Sequence, residues 1–173
     1  MAASAACASM ALWRRIDEAP IAEARRLLTE CCSATRWVEA MLRRRPFGSH
    51  HAIIAVARDA WWSLGPEDWR EAFSHHPKIG DLETLRSRFA GTRALSESEQ
   101  SGMESATDAV LDALARANRD YEERFGYIFI VCATGKSAEA MLALLHGRIM
   151  NDPAGEIRIA AEEQMKITAI RLS

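Results

Sequence analysis

The chain has 173 residues, 49% of them hydrophobic, with 22 Lys+Arg against 24 Asp+Glu and a formal net charge of −2. That is material for one buried core, which excludes general disorder. The near-neutral balance lacks the field that grips a phosphate backbone, so no nucleic-acid partner is expected. No apolar run approaches the roughly 18 residues that span a bilayer, so no membrane partner is expected either. In the N-terminal MAASAACASMAL segment the first basic residues, Arg14 and Arg15, follow the apolar stretch. A secretory signal has the reverse order. The C-terminal Arg171-Leu172-Ser173 does not match the peroxisomal S-K-L signal. Cys7, Cys31, Cys32 and Cys132 form no C-x-x-C pair and no zinc spacing. Reduced, mostly buried thiols in a cytoplasmic protein are therefore expected.

Taken in chain order, the pattern is helical. Pro20 opens a stretch with Ile21, Ala24, Leu27 and Leu28 on one face. Ser33 is placed to cap the next helix, where Trp37, Val38, Met41 and Leu42 form the stripe before Arg43-Arg44-Arg45-Pro46 ends it. Ser49 caps a third helix, stopped at Gly65-Pro66, and Pro66 starts a short fourth through about Phe73. After a polar break, Asp81 to Phe89 reads as a weak helix. A long helix then runs from Ser96 to about Arg124, with Gly126 just past its end. Ser137 to about Met150 follows. Asp152-Pro153 opens the last helix, with Ile157, Ala160, Ala161, Gln164 and Ile167 at helical spacing. Trp61, Trp62 and Trp69 read as core. The expectation is an all-α fold, a single compact multi-helix domain over 1–173 with 1–11 as a loose N-terminal tail.

One stretch departs from that pattern. Tyr127-Ile128-Phe129-Ile130-Val131-Cys132-Ala133 is continuous, β-branched and aromatic, with strand preferences but no second run to pair with. It predicts one extended buried segment near 127–133, whose backbone groups must bond helix ends, water or a ligand.

Two polar motifs can carry chemistry. In His75-His76-Pro77-Lys78-Ile79-Gly80 the proline biases His76 toward extended backbone, which holds an imidazole rigidly at a helix edge. Such a histidine is suited to proton transfer near neutrality; a plain surface turn is the alternative. No helical partner spacing such as H-E-x-x-H supports a metal site. In Ser96-Glu97-Ser98-Glu99-Gln100, Ser96 and Glu99 fit a capping box. Extending the stripe Met103, Ala106, Val110, Leu114 and Ala117 backward also lands on Glu99 and Gln100, so these polar side chains need partners if buried. His50, His51 and His146 read as structural or solvated. No Gly-rich phosphate loop, nucleophile elbow or Cys–His signature is present, so no cofactor has a visible home.

Together, His76-Pro77-Lys78-Ile79-Gly80, the Ser96-x-x-Glu99-Gln100 set and Asn118-x-x-Tyr121-x-x-x-Phe125-Gly126-Tyr127-x-Phe129-Ile130-Val131-Cys132-Ala133 resemble one family. It is the 2-oxo-4-hydroxy-4-carboxy-5-ureidoimidazoline (OHCU) decarboxylases, of the bacterial branch. Arg148-x-x-Asn151-Asp152-Pro153 and the last helix fit the same family, and the likeness runs from about Leu12 to Leu172. The resemblance implies an all-helical fold, a homodimer, no cofactor and no metal. It implies decarboxylation of a small ureide, OHCU, to (S)-allantoin, the last step of urate breakdown. By motif position His76 would be the catalytic proton donor, with Glu99 orienting the imidazole or ring hydroxyl. Substrate would touch Pro77, Ser96, Glu97, Ser98, Glu99, Gln100, Phe129, Ile130, Val131, Cys132 and Ala133. Ile128 stands where many members have proline. The substrate's own C=N can accept the electrons released with carbon dioxide, which fits the absent cofactor signatures. A non-catalytic ligand-binding module of the same fold and a metal-dependent ureide hydrolase are the alternatives.

Overall fold

The computed structural model describes residues 10–76 and 100–173, with side chains described from residue 108 onward in the second stretch. Among the described residues there are eight helices and no strand. They are α1 (Leu12–Glu18), α2 (Ile21–Cys31), α3 (Thr35–Arg43), α4 (His50–Trp62), α5 (Pro66–Ser74), α6 (Gln100–Phe125), α7 (Ala138–Arg148) and α8 (Pro153–Arg171). The all-α expectation is met. Among the described residues no helix is long and apolar enough to cross a membrane. The helix expected over Asp81–Phe89 lies outside the described residues.

The chain divides into two compact units, Met1–His75 with Ala161–Ser173, and His76–Ala160. In the first, α2 buries Ala24, Leu27, Leu28 and Cys31, the i, i+3, i+4, i+7 stripe of an amphipathic helix. Ile21, which the sequence pattern puts on that stripe, is 66% exposed at the first position of the helix. Pro20 is the residue before the helix rather than its first turn. Three indoles anchor the core, and each N–H finds a backbone carbonyl. Trp37 donates to Ala57 at 3.0 Å, Trp61 to Ala161 at 2.9 Å and Trp69 to Trp61 at 3.3 Å. An indole N–H buried without such a partner would cost about 1–3 kcal/mol. Trp62, by contrast, is 41% exposed and meets Trp69 only edge-on.

Side chains cap several helix ends. Ser49 Oγ accepts from the Ala52 N–H at 3.1 Å, and Ser137 Oγ from the Ala140 N–H at 3.2 Å. Asp152 Oδ1 accepts from the N–H groups of Ala154 and Gly155, both at 3.0 Å, at the start of α8. Ser33 does not cap α3. The Glu71 carboxylate of α5 takes that place, accepting from the Thr35 N–H at 3.2 Å and its hydroxyl at 2.6 Å. At the C-terminus of α2, the Arg171 guanidinium donates to the carbonyls of Glu30 and Cys31, while the Cys31 thiol reaches the Arg171 carbonyl at 3.6 Å. This latch ties the last turn of α8 to α2 within the first unit.

Cys31, Cys32 and Cys132 are buried and take part in no disulfide. Burial pushes the Cys31 thiol up to about 12 and the Cys32 thiol up to about 11, from an ordinary value of 9.0. Between pH 9 and those values the unfolded chain has released thiol protons that the native chain still holds. Stability contributed by these thiols is thus complete below about pH 9 and declines as pH rises. In native protein at pH 8, iodoacetamide should leave the Cys31–Cys32 peptide unmodified by mass spectrometry until urea unfolds it. The urea midpoint of the parent should also fall more steeply between pH 8.5 and 10.5 than that of a Cys31→Ala/Cys32→Ala variant. Equal slopes would contradict the burial of these thiols.

Candidate active site

The second unit is organised around a wholly buried carboxylate, Glu156. On α8 the row Glu156, Ala160, Gln164 and Thr168 repeats every four residues and is buried throughout. Glu156 is therefore carried inward by the same face that carries Ala160. A buried carboxylate needs donors, and this one has four. Its Oε1 accepts from Arg148 Nη2 at 2.6 Å, from Arg148 Nε at 2.8 Å and from the Tyr121 hydroxyl; its Oε2 accepts from Asn151 Nδ2 at 2.7 Å. Burial, and then the bond to Glu156, push the Tyr121 phenol far above its ordinary range, so it stays a donor. The Tyr121 ring lies within an aromatic cluster, 4.6 Å from Phe125, 5.2 Å from Phe129 and 5.9 Å from Tyr127 between centroids.

Arg148 has one arm left. Its Nη1 donates to the Ile130 carbonyl at 2.8 Å, and its guanidinium carbon lies 4.6 Å from the centre of the Phe129 ring. Lys136 Nζ donates to the Cys132 carbonyl at 2.7 Å, and the Lys136 N–H closes a turn onto the Ala133 carbonyl at 3.1 Å. Three carbonyls of the strand-like run, those of Ile130, Cys132 and Ala133, thus bond two cations and a turn. It forms neither helix nor strand and follows Gly126, whose φ of +76° a side-chain-bearing residue rarely adopts. Among the described residues, no acceptor lies within hydrogen-bond distance of the backbone N–H groups of Val131 and Ala133.

Of the residues singled out from sequence, Phe129, Ile130, Val131 and Cys132 are buried and Ala133 is half-buried, all gathered in this segment. His76 sits half-buried in the bend after α5, next to His75, whose Nδ1 lies 3.0 Å from the Glu71 carbonyl. Gln100 is the first residue of α6. Pro77, Ser96, Glu97, Ser98 and Glu99 lie outside the described residues, and so does the capping box. Sequence reasoning named Tyr121, Arg148 and Asn151 only as motif letters and passed over Lys136 and Glu156. Stepping back four residues from Ala160 along the apolar stripe would have found Glu156.

Within the second unit, two cations thus hold an irregular, apolar segment in place. Comparison with known proteins is more specific. The OHCU decarboxylase family model matches residues 17–173, and the chain belongs to that family. The chain is 42% identical over 147 residues to the uric acid degradation bifunctional protein TTL of Arabidopsis thaliana. That match covers 83% of this chain and 44% of the plant protein, so the chain spans less than half of that relative's length. It is 30% identical over 128 residues to the OHCU decarboxylase of Amia calva, covering 74% of this chain and 73% of that one. A crystal structure of an OHCU decarboxylase in the presence of (S)-allantoin matches with a TM-score of 0.67 at 35% identity, over 83% of this chain and 92% of that chain.

The buried network sets a stability test. Glu156→Gln removes the charge that balances Arg148 and turns an amide N–H toward a donor. The variant should lose about 3–5 kcal/mol in urea unfolding, the scale for breaking a buried ion pair from one side. Tyr121→Phe removes one donor and leaves the pair, so it should lose about 1.5–3 kcal/mol. A Glu156→Gln loss below that of Tyr121→Phe would show that the carboxylate does not hold the network.

Proposed function

We propose that this protein is a cofactor-independent OHCU decarboxylase, a carboxy-lyase that converts OHCU to (S)-allantoin at the last step of urate degradation in purine catabolism. The observation that carries the reading is family membership over residues 17–173 in a chain that keeps both His76 and Glu99. The substrate bears a hydroxyl and a carboxylate on ring carbon 4 and a ureido group on carbon 5. The bond from carbon 4 to the carboxylate breaks and carbon dioxide leaves. Its electron pair forms a double bond between carbons 4 and 5, and the ring C=N pair settles on nitrogen, which takes a proton. A second proton then adds to one face of carbon 5 as the hydroxyl on carbon 4 gives up its own and becomes a ketone. His76 delivers the proton to carbon 5, and Glu99 orients the imidazole or the hydroxyl.

Pro77, the Ser96–Gln100 turn and Phe129–Ala133 make the substrate contacts in this reading. A ureido group presents N–H donors and a carbonyl acceptor. The N–H groups of Val131 and Ala133 suit that carbonyl, which supports the assignment of this segment. The reading carries with it a homodimer, from the family resemblance, and a cytoplasmic setting, which the buried thiols, joined in no disulfide, support.

Freshly generated OHCU added to chelated, dialysed protein should give optically active allantoin at a protein-dependent rate. His76→Ala should lower turnover by roughly 10²- to 10⁴-fold, the scale of a positioned general acid, and its residual product should be racemic. Glu99→Gln should be severely slowed with unchanged helical circular dichroism, although Gln serves as well as Glu in a capping box. Parent-like turnover in Glu99→Gln would return Glu99 to a capping role, and parent-like turnover in His76→Ala would remove His76 from the reaction.

Light scattering at assay concentration should give twice the mass of the chain. A fully active monomer would refute the dimer.

A further inference from the structure

We infer that Arg148 and Lys136 are positioning residues that act through the backbone, each polarising a peptide unit whose N–H binds the substrate's ureido carbonyl. This rests on the reading of Phe129–Ala133 as the substrate-contacting segment. Arg148 Nη1 sits 2.8 Å from the Ile130 carbonyl oxygen, and Lys136 Nζ sits 2.7 Å from that of Cys132. The peptide bond makes each carbonyl one resonance system with the following N–H. The Ile130 carbonyl thus shares a peptide with the Val131 N–H, and the Cys132 carbonyl shares one with the Ala133 N–H. A cation on the oxygen draws electron density from the nitrogen and makes its N–H a stronger donor.

The two N–H groups singled out by the cations are also two that meet no acceptor among the described residues. Arg148 is not free to wander. Glu156 holds two nitrogens of Arg148, with the Phe129 ring against the guanidinium. The turn from Lys136 N–H to the Ala133 carbonyl carries the lysine stem back over its own loop.

Lys136 is the position to change, because Arg148 also neutralises Glu156. The ligand for the test is (S)-allantoin, which has no net charge near neutrality, so weaker binding cannot come from lost attraction to an anion. In Lys136→Met, calorimetry should show (S)-allantoin bound about five-fold more weakly, on the scale separating charge-assisted from neutral hydrogen bonds. The KM for OHCU should rise by a similar factor with kcat within two-fold, the pattern of an interaction made equally in ground and transition states. Lys136→Arg should restore both. A purely structural role would instead lower the active fraction, and so kcat, and leave KM alone.

Parent-like KM and affinity in Lys136→Met would overturn the inference. In the parent, the amide proton resonances of Val131 and Ala133 should move downfield as (S)-allantoin is added. Their standing still while calorimetry records binding would overturn it without any variant. A parent that neither decarboxylates OHCU nor binds (S)-allantoin would remove the reading of the site itself, a different failure from the other two.

Discussion

The fully buried charge of Glu156 is the constraint on which the second unit depends. Taking a carboxylate out of water costs several kcal/mol, and only close, well-aligned donors offset it. Here those donors come from Tyr121 on α6, Arg148 at the end of α7 and Asn151 in the turn before α8. One charge therefore fixes the mutual placement of three helices. Arg148 satisfies Glu156 with two of its nitrogens and has a third to spare, and that third reaches Ile130. The segment's position follows from the charge balance of the interior.

This arrangement resolves a difficulty any all-helical binding protein faces. Within a helix the N–H groups are consumed by carbonyls four residues back, so backbone donors are available only at the first turn or where the helix is broken. Between Gly126 and Ser137 the chain leaves the helix, and Phe129 to Cys132 are buried within that break. Apolar side chains keep that stretch inside, while Arg148 and Lys136 take its carbonyls. Among the described residues, the N–H groups of Val131 and Ala133 are left without an acceptor. On the proposed reading, a ureide carbonyl meets those two donors.

Much of the fold was legible because helical periodicity is local. The stripe on α2, the caps Ser49 and Ser137 and the start of α8 at Pro153 follow from neighbours within a turn or two. Ser33 misled because the cap of α3 is Glu71, whose carboxylate arrives from another helix. Trp62 misled because residue type says nothing about which face of a helix is covered. The strand-like run was legible as an anomaly, and its need for bonding partners was too. Its partner Arg148 was not, since Ile130 and Arg148 are 18 residues apart and no periodicity connects them. The His76 to Gln100 motifs were legible by family resemblance; apart from His76 and the backbone of Gln100, they fall among residues the structure does not describe.

On the proposed reading, the reaction explains why the segment must be rigid as well as rich in donors. Loss of carbon dioxide needs no electron sink from the protein, because the ring supplies its own. What remains is stereochemical: after decarboxylation carbon 5 is planar and can take a proton on either face. A ligand held by one hydrogen bond can turn about it, and a turned ring offers the wrong face. Two donors from alternate peptide units, Val131 and Ala133, remove that rotation. Each is backed by a cation, Arg148 held by its bonds to Glu156 and Lys136 seated on the Cys132 carbonyl. Facial selectivity toward a single proton donor then becomes a property of the backbone, secured by a buried ion pair that need never touch the substrate.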